Sequence, residues 1–465
     1  MAWRLQPDGS YHRTLGDSEY ALFAASASGV GDMFLQLSLR TPSASFADRD
    51  RVLVAWSLIR KKNPLLMSTL VLVDGEPRFA LTPPADYLRE ADASLRFSTA
   101  SKQELFSMHM DGPRELSNDT LSLLTISTRN EEILIFMSAP HFCGDGTTLH
   151  VSTHELIRLV TSAQTNEQLE KQLHGDVNWL EILPSSLESR ITIPRSRLGK
   201  AACKINYLQW LSKEIGGHTL PRIQRAAKQT AFEECELPQD KTAKILAKCK
   251  ANGVTVNHAL AALCTIAWTR CRPGPVDLPI MLYTAASLRG HLPQDSASQT
   301  FLALAYFTIS LPAFPPSGAR GVWHRARVAK AQMQTAARSP LLAIRAVMSA
   351  SGRTRRVPDD PGAFSPPSSP SPALPTRPQQ SAALMGISLI GDLDRTYLRH
   401  EYGAGVELLS VGTASRLKPG GILLLGHSFG KKLVVQLCWD TMGFEESTIE
   451  RFWNSFTEAI DEYLC

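Results

Sequence analysis

The feature that most constrains this chain is the stretch of residues 133–160, "ILIFMSAPHFCGDGTTLHVSTHELIRLV". A strand-like run ends at Pro140, His141 follows at once, and an amphipathic helical pattern begins after Asp145 and Gly146. The end of a buried strand can hold an imidazole rigidly, and histidine is the side chain that takes a proton most readily near neutral pH. The stretch therefore predicts a strand, a tight turn and a helix, with His141 as a candidate general base.

Asp145 and Gly146 occupy the turn between the predicted strand and helix. A carboxylate at this distance could orient the imidazole of His141, or it could turn away and hold the loop by pairing with an arginine. The residues alone leave both roles open. Gly146 is expected to let the backbone make the bend that opens the helix.

The rest of the first half alternates between helical and strand-like patterns. Residues 45–62 carry apolar side chains at helical spacing, and Asn63-Pro64 should end that helix. Two hairpins are predicted after it, at residues 66–81 around the turn "DGEP" and at residues 120–139 around "TRNE". Residues 163–215 show no long period and could form a crossover between domains.

The second half repeats this mixture. Two helices are separated by "NGVT", where Gly253 can take the positive φ of a helix end. Strands at residues 279–290 and 301–312, a helix at 321–338 and a closing hairpin and helix at 421–464 follow. The steady βαβ alternation of one doubly wound sheet is missing, so the expected class is α/β with two lobes, each a mixed sheet flanked by helices.

The predicted organisation has three parts: an N-terminal lobe at residues 1–185, a crossover at 186–220 and a C-terminal lobe at 221–465. The last part contains a Pro/Ser-rich insert at about 352–380, "GRTRRVPDDPGAFSPPSSPSPALPTRPQQ". Such a composition cannot bury enough apolar surface to order itself, so we expect a mobile loop there. A length of 465 residues agrees with two domains.

Composition narrows the function classes. A formal charge of +5 is too small and too scattered for a nucleic-acid-binding face. The eight cysteines form no CxxC pair, which indicates reduced thiols. No apolar run approaches the ~20 residues that span a bilayer. These features predict a cytoplasmic protein without a membrane span, which we expect to be a monomer.

The residues His141-Phe-Cys-Gly-Asp145-Gly146 resemble the HxxxDG signature of the chloramphenicol-acetyltransferase-like superfamily. That superfamily includes the plant BAHD acyltransferases, the condensation domains of peptide synthetases and the fungal trichothecene-type O-acetyltransferases. "KKNPLL" at 61–66, "GVTVNHALAALCTIAW" at 253–268 and "ISLIGDLDRTY" at 387–397 are similar to further segments of these proteins. The resemblance therefore extends over nearly the whole chain.

The resemblance implies a fold and a site. Two chloramphenicol-acetyltransferase-like lobes would face each other across an active-site tunnel, with His141 as the base that deprotonates the acceptor. Asp145, beside Gly146, would form a supporting salt bridge, and its partner by position is Arg289 in "YTAASLRG". Further candidates, for stabilising an oxyanion or lining the tunnel, are Ser428, Ser388, Cys143 and Tyr283. The sequence does not choose between the two serines.

The implied function is an acyl-CoA-dependent O-acyltransferase that moves an acetyl or other short acyl group to a hydroxyl of a secondary metabolite. Acyl-CoA would be a co-substrate, with no permanently bound cofactor. Two alternatives stay open: an acyl carrier protein as the donor, with an ester or amide as product, and an inactive family member that acts as a binding module. Pro140 stands where condensation domains usually carry a second histidine, and the DFGWG segment of plant enzymes is missing. Both departures favour a stand-alone enzyme of the fungal type.

Two other motifs offer rival chemistry. "GHSFG" at 426–430 has the form GxSxG, but a nucleophile elbow needs a helix after the serine, and "KKLVVQLCW" predicts a strand. His150 and His154 lie four residues apart on one predicted helix, with no obvious further ligands for a metal. We expect these two histidines to face solvent.

Overall fold

The structure is a computed structural model. It describes residues 2–26, 29–42, 44–129, 132–175, 177–214, 216–223, 229–272, 274, 276–292, 300–354 and 383–465. Most of the predicted Pro/Ser-rich loop, residues 355–380, lies outside the described residues, whereas 352–354 still belong to a helix.

The first half of the chain contributes eight strands and nine helices to the part that the structure describes. The strands are β1 (Arg4–Leu5), β2 (Tyr11–Thr14), β3 (Asp32–Arg40), β4 (Thr69–Val73), β5 (Glu76–Leu81), β6 (Leu95–Ser98), β7 (Leu123–Arg129) and β8 (Glu132–Pro140). The helices are α1 (Asp17–Ser26), α2 (Arg49–Lys62), α3 (Tyr87–Asp92), α4 (Lys102–Asp111), α5 (Gly146–Val160), α6 (Asn166–Glu170), α7 (Trp179–Ile182), α8 (Leu187–Arg190) and α9 (Arg197–Leu211).

The second half adds seven strands and five helices among the described residues. The strands are β9 (Thr230–Leu237), β10 (Ile280–Ser287), β11 (Leu304–Leu311), β12 (Met385–Asp392), β13 (Glu407–Ser415), β14 (Ile422–Phe429) and β15 (Lys432–Asp440). The helices are α10 (Gln239–Ala251), α11 (Val256–Cys271), α12 (Gly318–Ala337), α13 (Leu342–Thr354) and α14 (Thr448–Ala459).

Local signals set the ends of several of these elements. The Asp48 side chain accepts hydrogen bonds from the first backbone N–H groups of α2, and the helix ends before Asn63-Pro64 as the sequence predicts. The turn between β4 and β5 places Asp74 and Gly75 at positive φ. Gly253 has φ +66° between α10 and α11, which confirms the predicted helix end.

The strands form three sheets. A small antiparallel sheet has the order β1-β2-β5-β4, a five-stranded sheet the order β13-β3-β8-β7-β6, and a six-stranded sheet the order β11-β10-β12-β14-β15-β9. The two larger sheets are mixed: β6 pairs with β7 in parallel, and β12 pairs in parallel with both β10 and β14. The expected class, two lobes of mixed sheet flanked by helices, is confirmed.

One strand of the second half belongs to the first lobe. β13 pairs antiparallel with β3, with Val411 opposite Leu37, so the five-stranded sheet is completed by residues far along the chain. The apolar core against this sheet likewise includes Tyr397 and Phe429. The two lobes are therefore interlocked, and the predicted domain boundaries do not describe this exchange.

The predicted crossover at 186–220 contains a helix that the sequence did not reveal. α9 runs for 15 residues. Its Leu198 is 85% exposed, and Ile205 and Leu208 are also exposed. A helix whose apolar residues do not gather on a buried face lacks the amphipathic period by which helices are predicted.

The described residues contain no helix that is both long enough and apolar enough to cross a bilayer.

The central strand β3 generates a stability prediction. Leu37 is fully buried in the five-stranded sheet and packs in its core, so Leu37→Ala should leave a cavity and lower the free energy of unfolding by about 2–5 kcal/mol. Urea unfolding followed by circular dichroism measures the change. The same substitution at Leu198, which is 85% exposed, is the control and should change it by no more than about 0.5 kcal/mol. Equal losses at both positions would contradict the assigned core.

Candidate active site

The His141 loop is anchored by a backbone hydrogen bond at its start. β8 ends at Pro140, the backbone N–H of His141 donates to the carbonyl of Gly31 (3.0 Å), and Gly31 has φ +85°. The Nδ1 atom of His141 lies 2.8 Å from the carbonyl oxygen of Gly144, within the same loop. The imidazole is thus held by a contact within the turn, and the turn is anchored to Gly31, just before β3.

The Gly144 contact sets the tautomer of the ring. A carbonyl oxygen only accepts hydrogen bonds, so Nδ1 of His141 must carry the proton. The neutral ring then has its lone pair on Nε2, and this is the nitrogen that can take a proton from a bound molecule. Asp145 does not contact the ring, since its carboxylate is engaged elsewhere.

Asp145 joins two parts of the fold. It is 2% exposed, and its Oδ1 accepts from the backbone N–H of Thr148 (3.3 Å) as the N-cap of α5. Its other oxygen, Oδ2, pairs with the guanidinium of Arg289, just after β10 in the second lobe. Arg289 also donates to the Phe301 carbonyl (2.9 Å) and lies over the Phe301 ring. The sequence left two roles open for Asp145, to orient the imidazole of His141 or to pair with an arginine. The structure shows the pair with an arginine.

The role expected for Gly146 is wrong in one respect. Gly146 does not have a positive φ, so the turn does not need the conformational freedom of glycine there. A Cβ atom at Gly146 would lie 3.5 Å from Ile390 Cδ1, an ordinary contact, although it would stand at the wall of the cavity described next. The tight position is Gly144, where a Cβ atom would come 2.5 Å from Thr148 Oγ1.

His141, Asp145 and Gly146 line a cavity of about 350 Å³ between the two larger sheets. One wall comes from β3, α5 and β13, and the opposite wall from β10, β11, β12 and β14. Most of the lining is apolar. The remaining residues of the lining are Met33, Phe34, Leu35, Thr147, Leu149, His150, Tyr283, Thr284, Ala285, Ser287, Leu304, Tyr306, Gly386, Ile387, Ser388, Leu389, Ile390, Thr413, Ala414, Ser415, Leu423 and Leu425.

The four further candidates separate into two groups. Ser388, on β12, and Tyr283, on β10, line the cavity. Cys143 does not: it is fully buried in the core of the small sheet with Phe142, and burial raises the pKa of its thiol well above the usual range. Ser428 does not line the cavity either. Its strand neighbours are Asp392 and Leu433. Of the two predicted serines, Ser388 is therefore the one that lines the cavity with His141, together with Ser287 and Ser415.

"GHSFG" lies at the end of β14 and is followed by strand β15. The turn between them has Gly430 and Lys431 at positive φ. This hairpin confirms the predicted strand after the serine and lacks the strand–helix geometry of a nucleophile elbow.

The prediction that His150 and His154 face solvent is wrong. His150 is 1% exposed and its Nδ1 lies 2.8 Å from the hydroxyl of Tyr397. His154 is half-buried and its Nδ1 lies 2.9 Å from the hydroxyl of Tyr402. Two short turns of the second half cover this face of α5, and no local pattern in α5 could reveal that contact. The described residues hold no group of three or more His, Cys, Asp or Glu side chains placed for a metal ion.

Sequence reasoning missed two parts of the site. The first is the Gly144 carbonyl, a backbone atom that carries no side-chain signal. The second is His150, whose position four residues after Gly146 puts it on the same face of α5 as the start of the helix. That spacing was a usable signal for a cavity residue.

The chain is similar to known proteins in structure, whereas comparisons of its sequence found no match. No protein-family model matches the chain, and no curated protein matches its sequence. Trichothecene 15-O-acetyltransferase from Fusarium sporotrichioides superposes with a TM-score of 0.79 at 14% identity, covering 99% of this chain and 98% of that one. Polyketide synthase associated protein 5 from Mycobacterium tuberculosis gives 0.65 at 14% identity, covering 97% and 98%. The condensation domain of the Monacolin K polyketide synthase gives 0.64 at 11% identity, covering 100% and 98%.

These similarities confirm the fold that the HxxxDG resemblance implied. The chain has the two-lobed fold shared by the trichothecene acetyltransferase and the condensation domains, over nearly its whole length.

The buried ion pair generates a prediction about the loop. Asp145→Asn keeps a side chain that can cap α5 but removes the charge that pairs with Arg289. The free energy of unfolding should fall by about 3 kcal/mol, because the substitution removes the negative charge of a carboxylate that is buried in an ion pair. Chemical denaturation measures the change.

Glu407→Gln is the matched control, since it removes an ion pair with Arg40 in which both side chains are more than half exposed. Its effect should not exceed about 0.5 kcal/mol. An Asp145→Asn protein as stable as this control would show that the ion pair does not hold the loop.

Proposed function

We propose that this protein is an acyltransferase that moves an acyl group, acetyl or another short one, from acyl-CoA to a hydroxyl of a small secondary metabolite. The observation that carries the proposal is the His141 ring: it lines a cavity between two lobes, and the Gly144 carbonyl leaves Nε2 as its basic nitrogen. The shared fold with an O-acetyltransferase supports it.

The reaction needs one group that accepts a proton and one group that donates a hydrogen bond to the oxyanion. Nε2 of His141 takes the proton of the acceptor hydroxyl as its oxygen attacks the thioester carbonyl carbon. The tetrahedral intermediate then expels the CoA thiolate, the C–S bond breaks, and the thiolate takes the proton from the imidazolium. The products are an ester and free CoA. Ser388, whose hydroxyl can donate, is the proposed partner of the oxyanion.

Cavity size and lining support a short acyl group and an uncharged acceptor. About 350 Å³ must hold both the acyl group and the acceptor at the moment of transfer. No lysine or arginine is among the described residues that line the cavity. The coenzyme's phosphates would therefore remain outside it, and the acceptor inside it is proposed to be largely apolar.

The proposal predicts that His141→Ala removes acyl transfer without unfolding the protein. The rate should drop by roughly 100-fold or more, the usual contribution of a positioned general base. The purified protein is incubated with a panel of acyl-CoAs and alcohols, and released CoA thiol and product mass are followed. His174→Ala is the control, since His174 is exposed, and it should retain full activity and the same melting temperature.

Each part of the proposal fails separately. Full activity in the His141→Ala protein would exclude His141 as the base. Transfer from a phosphopantetheinyl carrier, with no saturation by free acyl-CoA, would show that the donor is wrong and leave the transfer reaction standing. A wild-type protein that binds but never transfers an acyl group would contradict the enzyme itself.

Ser388→Ala tests the oxyanion role. Loss of one donor to an oxyanion typically costs about 100-fold in kcat, with little change in KM, because the donor acts on the transition state. Ser428→Ala is the matched control, since Ser428 does not line the cavity. Steady-state kinetics with the acceptor found in the panel measure both; equal rates for the two variants would exclude Ser388.

A further inference from the structure

Apolar residues lie on two opposite faces of α9, and the residues that the structure describes cover only one of these faces. On the covered face, Cys203 is 5% exposed and Trp210 packs against the core of the second lobe. The other face carries four exposed apolar residues at the helical spacing i, i+3, i+7 and i+10, which are Leu198, Ala201, Ile205 and Leu208. Leu198 is 85%, Ile205 55% and Leu208 49% exposed. We call these four residues the α9 row.

Cations border the α9 row. Residues 189–213 contain no Asp or Glu. Five of the six Lys and Arg side chains in this segment are exposed, namely Arg195, Arg197, Lys200, Lys204 and Lys213. Arg197 and Lys204 stand beside the row, because each lies four positions before one of its members. The neighbouring helix α13, which packs against α9, has no Asp or Glu either. The exposed face of α9 is therefore apolar along its middle and cationic along its border.

A contiguous exposed apolar face with a charged border is typical of an interaction surface, and its charge indicates what covers it. A symmetric contact between two copies of this chain would place the same face against itself, so that cations would meet cations. The surface of a bilayer with anionic lipids offers the opposite charge. Lys and Arg side chains can extend along such a surface with their charged ends among the headgroups, while Leu and Ile beside them enter the acyl boundary. The residues of this face therefore favour a bilayer over a second copy.

We propose that α9 attaches this protein to the surface of a membrane that contains anionic lipids. The helix lies in the plane of the interface, with the α9 row at the acyl boundary and Lys200 and Lys204 at the lipid phosphates. Trp210, on the opposite face, keeps the helix packed on the second lobe, so no part of the fold has to open. The attachment is peripheral, because it uses one exposed helix face and charge.

The position of α9 also relates the membrane to the cavity. The helix α13, against which α9 packs, lines a small crevice that shares Leu304 and Tyr306 with the cavity of His141. An uncharged, largely apolar acceptor would concentrate in the bilayer beside this part of the fold. This consequence rests on the proposed function, whereas the attachment of α9 to a membrane does not.

Vesicle sedimentation tests the attachment without turnover. The full chain should bind vesicles made of equal parts of phosphatidylcholine and phosphatidylserine. It should bind vesicles of phosphatidylcholine alone at least about tenfold more weakly, because these lack the negative surface potential. Added salt should weaken binding to the mixed vesicles, since it screens exposed charges. No binding to the mixed vesicles, or equal binding to both kinds, would overturn the proposal.

Two double variants separate the apolar contribution from the charge. Leu198→Ser with Leu208→Ser should weaken binding to the mixed vesicles at least about tenfold, because two apolar side chains are lost from the acyl boundary. Lys200→Gln with Lys204→Gln should weaken it about 25-fold, or about fivefold per cation. All four side chains are exposed, so circular dichroism and the melting temperature should not change.

Helix α10 supplies the matched controls, since its Leu246 is 52% exposed and its Lys244 and Lys248 are exposed. Leu246→Ser, and Lys244→Gln with Lys248→Gln, should bind the mixed vesicles within about twofold of the wild type, because charges away from the contact are screened. Equal weakening by these controls would show that α9 is not the contact. Sedimentation velocity tests the second copy: a wild-type dimer that Leu198→Ser with Leu208→Ser dissociates, without vesicle binding, would overturn the proposal and assign the α9 row to self-association.

Discussion

The ion pair between Asp145 and Arg289 is the constraint on which the site depends. One carboxylate caps α5 and at the same time reaches the guanidinium that follows β10 in the other lobe. Removing this pair from water costs free energy, and the cost is offset because both partners have further contacts: the Thr148 N–H for Asp145, and the Phe301 carbonyl and ring for Arg289. The start of α5 is thereby fixed against the second lobe. His141 lies four residues before Asp145 in the same loop, so this ion pair also connects the proposed base to the second lobe.

The exchange of β13 between the lobes also connects the two sides of the site. β13 crosses from the second half to complete the sheet that contains β3 and β8. Residues of β13 and β3 line the cavity. Such pairing is costly to form early in folding because it closes a very long loop. Once it is formed, the chain segments before and after β13 connect the two larger sheets to each other. The cavity is therefore a property of the complete chain, and its walls are strands and a helix, which position side chains more precisely than loops.

Much of the fold could be predicted because its signals are local. Asn63-Pro64 ends α2, Gly253 separates two helices, and the strand–proline–histidine–helix order around His141 is visible in a few turns of chain. The pairing of β13 with β3 could not be predicted, since neither strand carries information about a partner so far away in sequence. The same limit explains the error at Cys143 and the missed contact between His150 and Tyr397. Which side of a turn or helix faces a cavity depends on what the distant second half places against it.

The two histidines of the cavity show how the degree of burial separates a side chain that suits a general base from one that does not. At His141 the Nδ1 contact is a carbonyl, which only accepts, so the ring offers a lone pair. At His150 the Nδ1 contact is the hydroxyl of Tyr397. A general base must become charged during the reaction, and His141, the proposed base, is only half-buried. His150 is fully enclosed, and burial holds its pKa far below neutrality, so its ring cannot take up a proton at neutral pH. Of these two side chains, His141 is therefore the one whose surroundings suit the proposed base.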